Sequence, residues 1–163
     1  MLSEKADGKM AKWAKEETVE EAIIRVRVAK YEREKGHMRR EHFFVEYMGP
    51  STNAIYAGQH WTKRAKEADK AHKAVKALDT DLFLNPVKLM FTPQVGKGGR
   101  ERDCSNYSYT CKMIEDGLVK QGILSGDEAD KVVRFAINRP VINRKAPSGL
   151  WIVIEETCLE NLM

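Results

Sequence analysis

The chain has 163 residues, of which 42% are hydrophobic and 32% charged, and its formal net charge is +4. That length suits one domain with an appended arm, and it allows a real core without disulfide or metal staples. The composition is too apolar for a wholly disordered chain, and no apolar run approaches the roughly 20 residues that cross a bilayer.

Residues 1–15 show no signal-peptide core, so no membrane partner is expected. Cys104, Cys111 and Cys158 are odd in number and lack CxxC spacing. They read as free thiols in a reducing, cytoplasmic compartment. His37, His42, His60 and His72 show no metal-ligand spacing.

Residues 1–40 differ from the rest, with 11 Lys/Arg and 8 Asp/Glu. Thr18 and Glu21 have capping-box spacing, and Val19, Ile23 and Val26 follow a helical period. Ile24, Val26 and Val28 also alternate as in a strand. The reading is a charged N-terminal helical extension over about 16–36, with a solvated arm as the alternative. The domain proper is expected over 41–163.

His42–Met48 is a strand candidate closed by Gly49-Pro50, and Pro50–Tyr56 reads as an ordered loop. A helix is expected over Thr62–Leu78, with Trp61, Ala65, Ala68, His72 and Val75 facing inward. Lys63, Lys66, Lys70 and Lys73 fall on its opposite face.

Pro86–Thr92 alternates as a strand, and the basic, glycine-rich stretch Val95–Arg102 follows it. That stretch lacks the Walker A frame, so it is either a flexible hairpin connection or a phosphate-contacting loop.

Ser105 is a candidate N-cap for a helix running to Gln121, with Gly122 as its stop. Tyr107, Cys111, Ile114 and Leu118 form its apolar stripe, which leaves Tyr109, Lys112 and Asp116 on the outward face. Val132–Val141 and Leu150–Glu156 are two further strands, the last read as buried on both faces. The fold class expected is α+β: a mixed or antiparallel sheet of about four strands with two main helices.

Acids flank the helix, Asp103 before it and Asp127 in the turn after it, with Lys112 between them. Carboxylate oxygens suit a hard cation such as Mg²⁺, and a lysine stabilises developing negative charge. The same residues also fit a cap, an exposed i,i+4 pair and a turn.

Arg102-Asp103-x-x-Asn106, then Lys112, Asp116-Gly-Leu-Val119, Gly122-Ile-Leu124 and the acidic turn Gly126-Asp127-Glu128 together resemble the RusA family of Holliday-junction resolvases. Pro50-Ser-Thr-Asn53 with Tyr56 resembles that family's Pro-x-x-Asn…Tyr segment. The resemblance covers about 42–156. It implies a homodimeric, Mg²⁺-dependent endodeoxyribonuclease that cuts four-way DNA junctions in a bacterial or phage-infected cell.

The resemblance also implies site residues. Asp103, Lys112 and Asp127 would be catalytic, and Asp103 and Asp127 would hold the metal, with Asp116 and Glu128 as weaker ligands. Asn53 and Asn106 would face DNA. Lys63, Arg64, Lys66, Lys97, Arg100 and Arg102 supply positive charge for its phosphates.

The chain departs from the family pattern in two places. Ser105 stands where the family has its second aspartate, and Gly126 where it has the first member of the later acidic pair. These departures keep open a catalytically weak or inactive junction-binding protein, or a scaffold acting through the N-terminal arm.

Overall fold

The computed structural model describes residue 27 and residues 38–158, and the fold is that of the unit His37–Met163. Apart from Arg27, the expected helix over 16–36 lies outside the described residues.

In chain order the elements are β1 (Arg40–Val45), α1 (Thr52–Tyr56), α2 (Trp61–Val75), β2 (Val87–Val95), a 3₁₀ turn (Cys104–Tyr107), α3 (Ser108–Lys120), β3 (Val132–Ile137), β4 (Val141–Ile142) and β5 (Gly149–Glu156). This is the expected α+β class with two main helices, and the sheet is mixed. Its strand order is β1-β5-β2-β3, with β4 also on β2. β5 runs antiparallel to both neighbours, whereas β3 and β4 run parallel to β2.

The described residues form five strands, because the single strand expected over 132–141 divides. The Asn138 N–H donates to the Phe91 carbonyl at 2.8 Å. Pro140 follows without an N–H, and Pro93 of the facing strand lacks one too. Pairing resumes at Val141 opposite Gln94.

Alternation places Val87, Leu89 and Phe91 of β2 and Leu150, Ile152 and Ile154 of β5 on one buried face. Tyr107, the α3 residues Cys111, Ile114 and Leu118, and the α2 residues Ala71 and Val75 join them in one core. Each such aliphatic side chain contributes about 1.5–3 kcal/mol on burial.

The reading of β5 as buried on both faces is corrected: Trp151 is exposed and Val153 only half-buried. On that second face Trp151 packs against Phe44 of β1, with ring centroids 5.0 Å apart.

Other boundaries move for identifiable reasons. β1 ends at Val45 because its partner strand β5 begins at Gly149, the residue before Leu150, to which Val45 pairs. The expected loop 50–56 contains a short helix, since Ser51 Oγ caps it by accepting from Ala54 N–H.

In α2 only Ala71 and Val75 are fully buried, and the expected inward residues Trp61 and Ala65 are exposed. This helix meets α3 through its C-terminal half, where Gly117 leaves room for His72 and Val75.

The glycine-rich segment after β2 is not a flexible hairpin, because it is clamped by the loop before β5. Arg144 Nη1 donates to the carbonyls of Gly96 (3.0 Å) and Gly99 (2.6 Å), and Gly96 N–H donates to Ser148 Oγ at 2.9 Å. A Cβ on Gly96 would lie 2.3 Å from the Ala146 carbonyl oxygen, which is backbone and has little freedom to retreat. Gly96→Ala is therefore expected to cost about 1–3 kcal/mol in urea unfolding. The exposed neighbouring change Lys97→Ala should stay within about 0.5 kcal/mol.

Candidate functional site

Helix α3 positions the site, and local chemistry fixes both its ends. Asp103 is extended (φ −61°, ψ 150°), and the chain then tightens into the 3₁₀ turn. The expected N-cap Ser105 lies inside that turn and does not cap the helix. Its carbonyl instead accepts from Ser108 Oγ at 2.8 Å and Thr52 Oγ1 at 3.1 Å.

At the other end Gly122 takes φ +72°. Its N–H donates to the Val119 carbonyl at 3.0 Å, and Ile123 N–H donates to the Leu118 carbonyl at 2.9 Å. This is a Schellman termination, with buried Leu118 and Ile123 supplying its apolar contact. It turns the chain back so that Asp127 returns alongside the helix.

The turn brings four charged groups together. Lys112 Nζ donates to Asp127 Oδ2 at 2.5 Å and to Glu115 Oε2 at 2.8 Å, and lies 3.1 Å from Asp116 Oδ1. The carboxylates of Glu115, Asp116 and Asp127 each offer an oxygen, all within 4.8 Å of one another. Three oxygen donors around one point could hold a metal ion, and here the Lys112 ammonium bonds to all three carboxylates. With Lys112 included the group carries a net charge of about −2, so the charge also fits.

Burial lowers the affinity of Lys112 for its proton. Its hydrogen bonds to Asp127, Glu115 and Asp116 outweigh that and hold it above the usual lysine value. Burial pushes the Glu115 carboxyl above the usual carboxylate range despite Lys112, and the negative Asp127 and Asp116 add to the shift. The bond from Lys112 holds Asp127 below that range.

Glu115 is the residue the sequence reading missed. It is only 5% exposed. Its signal was available: Cys111, Glu115 and Leu118 share an i, i+4, i+7 spacing, so a carboxylate lies on the buried stripe beside Lys112.

The expected metal pair Asp103 and Asp127 is not what converges; Asp103 is no member of the acidic trio. It precedes the 3₁₀ turn at the start of the helix, whereas Lys112 sits a turn further along. Glu128 is outside the trio as well. Its carboxylate folds over Gly126, where a Cβ would meet Glu128 Oε2 at 2.0 Å.

A second polar feature surrounds the helix start. Asn53, Arg100, Arg102, Asp103 and Asn106 line a concavity of about 510 Å³. Arg102 is partly committed to structure: Nη1 donates to the Gly49 carbonyl at 2.9 Å, and the guanidinium lies 5.8 Å from the Tyr107 ring centroid. Arg100 and Lys97 are exposed, as are Lys63, Arg64 and Lys66 at the start of α2. Further along α2, Lys70 and Lys73 pair with Glu67 and Asp69.

Comparison with family models and with curated proteins finds no match for the chain. No helix among the described residues is long and apolar enough to cross a membrane.

Lys112→Met should destabilise the fold at pH 7 by about 1–2 kcal/mol, because it leaves the carboxylate of Glu115 in place without its counter-ion. The raised carboxyl of Glu115 takes up a proton as the pH falls, which removes that penalty. The gap between the wild-type and Lys112→Met unfolding midpoints should therefore narrow from pH 7 to pH 4 without closing, because Asp127 stays ionised and bonded to Lys112, as urea titrations at both pH values will show.

Proposed function

We propose that the chain is a Mg²⁺-dependent, structure-selective endodeoxyribonuclease of the RusA type, resolving four-way DNA junctions by paired phosphodiester hydrolysis. The observation that supports it best is the convergence of Lys112 with Glu115, Asp116 and Asp127. The polar concavity at the start of the same helix adds to it; the rise from Ser108 to Lys112 is only about 6 Å.

Glu115, Asp116 and Asp127 would hold the cation. When bound, it polarises a phosphoryl oxygen and makes a water a stronger nucleophile at neutral pH. Lys112 would bond a phosphate oxygen by giving up one of its contacts to Asp127, Glu115 or Asp116 as negative charge grows. Asn53 and Asn106 present amides, each able to donate to a phosphate or accept from a base. Asp103, in the same concavity, would orient water beside a deoxyribose-phosphate group. Lys63, Arg64, Lys66, Lys97 and Arg100 would track phosphates, favouring recognition by shape rather than by base sequence.

The two opposed cuts call for two sites, and we assign the second to a second copy. The edge formed by β3 and β4 presents Phe135, Val141 and Ile142, each at least 39% exposed. An exposed apolar sheet edge is a template for pairing, and a two-fold axis there would match the symmetry of a junction. Ile142→Lys should shift the protein toward monomer in sedimentation velocity and abolish paired, but not single, nicks.

The direct test is cleavage of a synthetic four-way junction in Mg²⁺. Wild-type protein should introduce paired nicks, and Asp127→Asn and Asp103→Asn should lose them while still binding the junction. One observation favours a second reading, a junction-binding protein without catalysis: Lys112 already neutralises part of the acidic trio. On that reading the junction is bound but never nicked, with or without Mg²⁺.

A further inference from the structure

Two large aromatic side chains stand in solvent at one corner of the fold. Tyr56, the last residue of α1, is 83% exposed, and Trp61, the first residue of α2, is 66% exposed. Aromatic side chains gain more than most from burial, so such exposure at adjacent helix ends marks a contact surface. The turn between them is tight, with Gly58 at φ +90°.

The corner is held, not loose. Thr52 Oγ1 accepts from Tyr109 N–H at 3.2 Å and lies 2.8 Å from Ser108 Oγ, which ties α1 to the start of α3. Tyr109 Oη donates to the Arg64 carbonyl at 3.4 Å, which ties α2 to the same place. Asn53 lines the polar concavity, and Tyr56, three residues on, shares its face of α1. Tyr56 therefore lies one helical turn from a residue that lines the concavity holding Asp103 and Asn106.

Charge decides what docks there. From Ser51 to Lys66 the chain carries Lys63, Arg64 and Lys66 and no carboxylate. Flat apolar faces beside a cluster of cations match a ligand made of π-faces and phosphates. They fit an acidic or apolar protein segment less well, because that would use only one of the two features.

We propose that Tyr56 and Trp61 form a stacking platform for nucleobases uncovered at a DNA branch point, and so set the preference for branched over linear DNA. This rests on the reading of the chain as a junction-specific protein. Linear duplex shows base faces only at its ends, whereas a branch point interrupts the stack and uncovers them. Phosphate contacts act on both substrates alike; stacking acts on one.

The test is equilibrium binding without divalent cation, by fluorescence anisotropy, to a four-way junction and to a linear duplex with blocked ends at the same salt. Tyr56→Ala and Trp61→Ala should each weaken junction binding roughly tenfold. Duplex binding should change less than about twofold, because the phosphate contacts remain. Trp61→Phe, which keeps a stacking face, should recover most of the loss. Equal losses on junction and duplex, or no loss on either, would overturn the platform, as would a wild-type protein that shows no junction preference. Cleavage is scored separately in Mg²⁺. A wild-type protein that prefers junctions but never nicks them defeats the nuclease reading, while the binding data still decide the platform.

Discussion

The packing of α3 onto β2 and β5 is the constraint from which the rest of the architecture follows. Tyr107, Cys111, Ile114 and Leu118 must all be buried, and together they fix the rotation of the helix about its axis. Once that rotation is set, Lys112 and Asp116 have one direction to face. The Schellman turn at Gly122 then sends the chain back along the helix, and Asp127 arrives beside Lys112. A hydrophobic requirement thus assembles a polar cluster.

That cluster is expensive in isolation. Glu115 is buried, and burial together with the neighbouring charges of Asp127 and Asp116 raises its affinity for a proton. Lys112 offsets much of this through three short contacts, so the group is satisfied while still carrying excess negative charge. The three carboxylates could hold a metal ion.

The surroundings extend the same logic outward. α1 is too short to stand alone, and Thr52 holds it by hydrogen bonds to the start of α3. The loop after β2 is glycine-rich because the backbone of 146–148 passes too close for a side chain at Gly96. The polar concavity, the exposed aromatics at Tyr56 and Trp61 and the cations of α2 are therefore carried on segments fixed relative to α3. The fold presents a built surface, ordered by contacts outside the acidic cluster.

Much of this was legible in the sequence, wherever the physics is local. The 3.6-residue period of α3, its glycine stop, the alternation of β2 and the outward placement of Lys112 and Asp116 all depend on residues within a turn or two. What needed tertiary structure depends on distant partners. The split at Asn138–Pro140 becomes definite only when Phe91 and Pro93 lie opposite it. Trp61 has a suitable helical position for burial, yet only Ala71 and Val75, in the half of α2 that meets α3, are fully buried. Asp103 and Asp127 flank one helix in sequence, but Asp127 is carried back to Lys112 and Glu115 by the turn, while Asp103 stays at the helix start. Helical faces and strand alternation were readable from residue order, because they arise from backbone periodicity. Which carboxylates meet emerged from the folded chain, because convergence depends on how loops return it across the core.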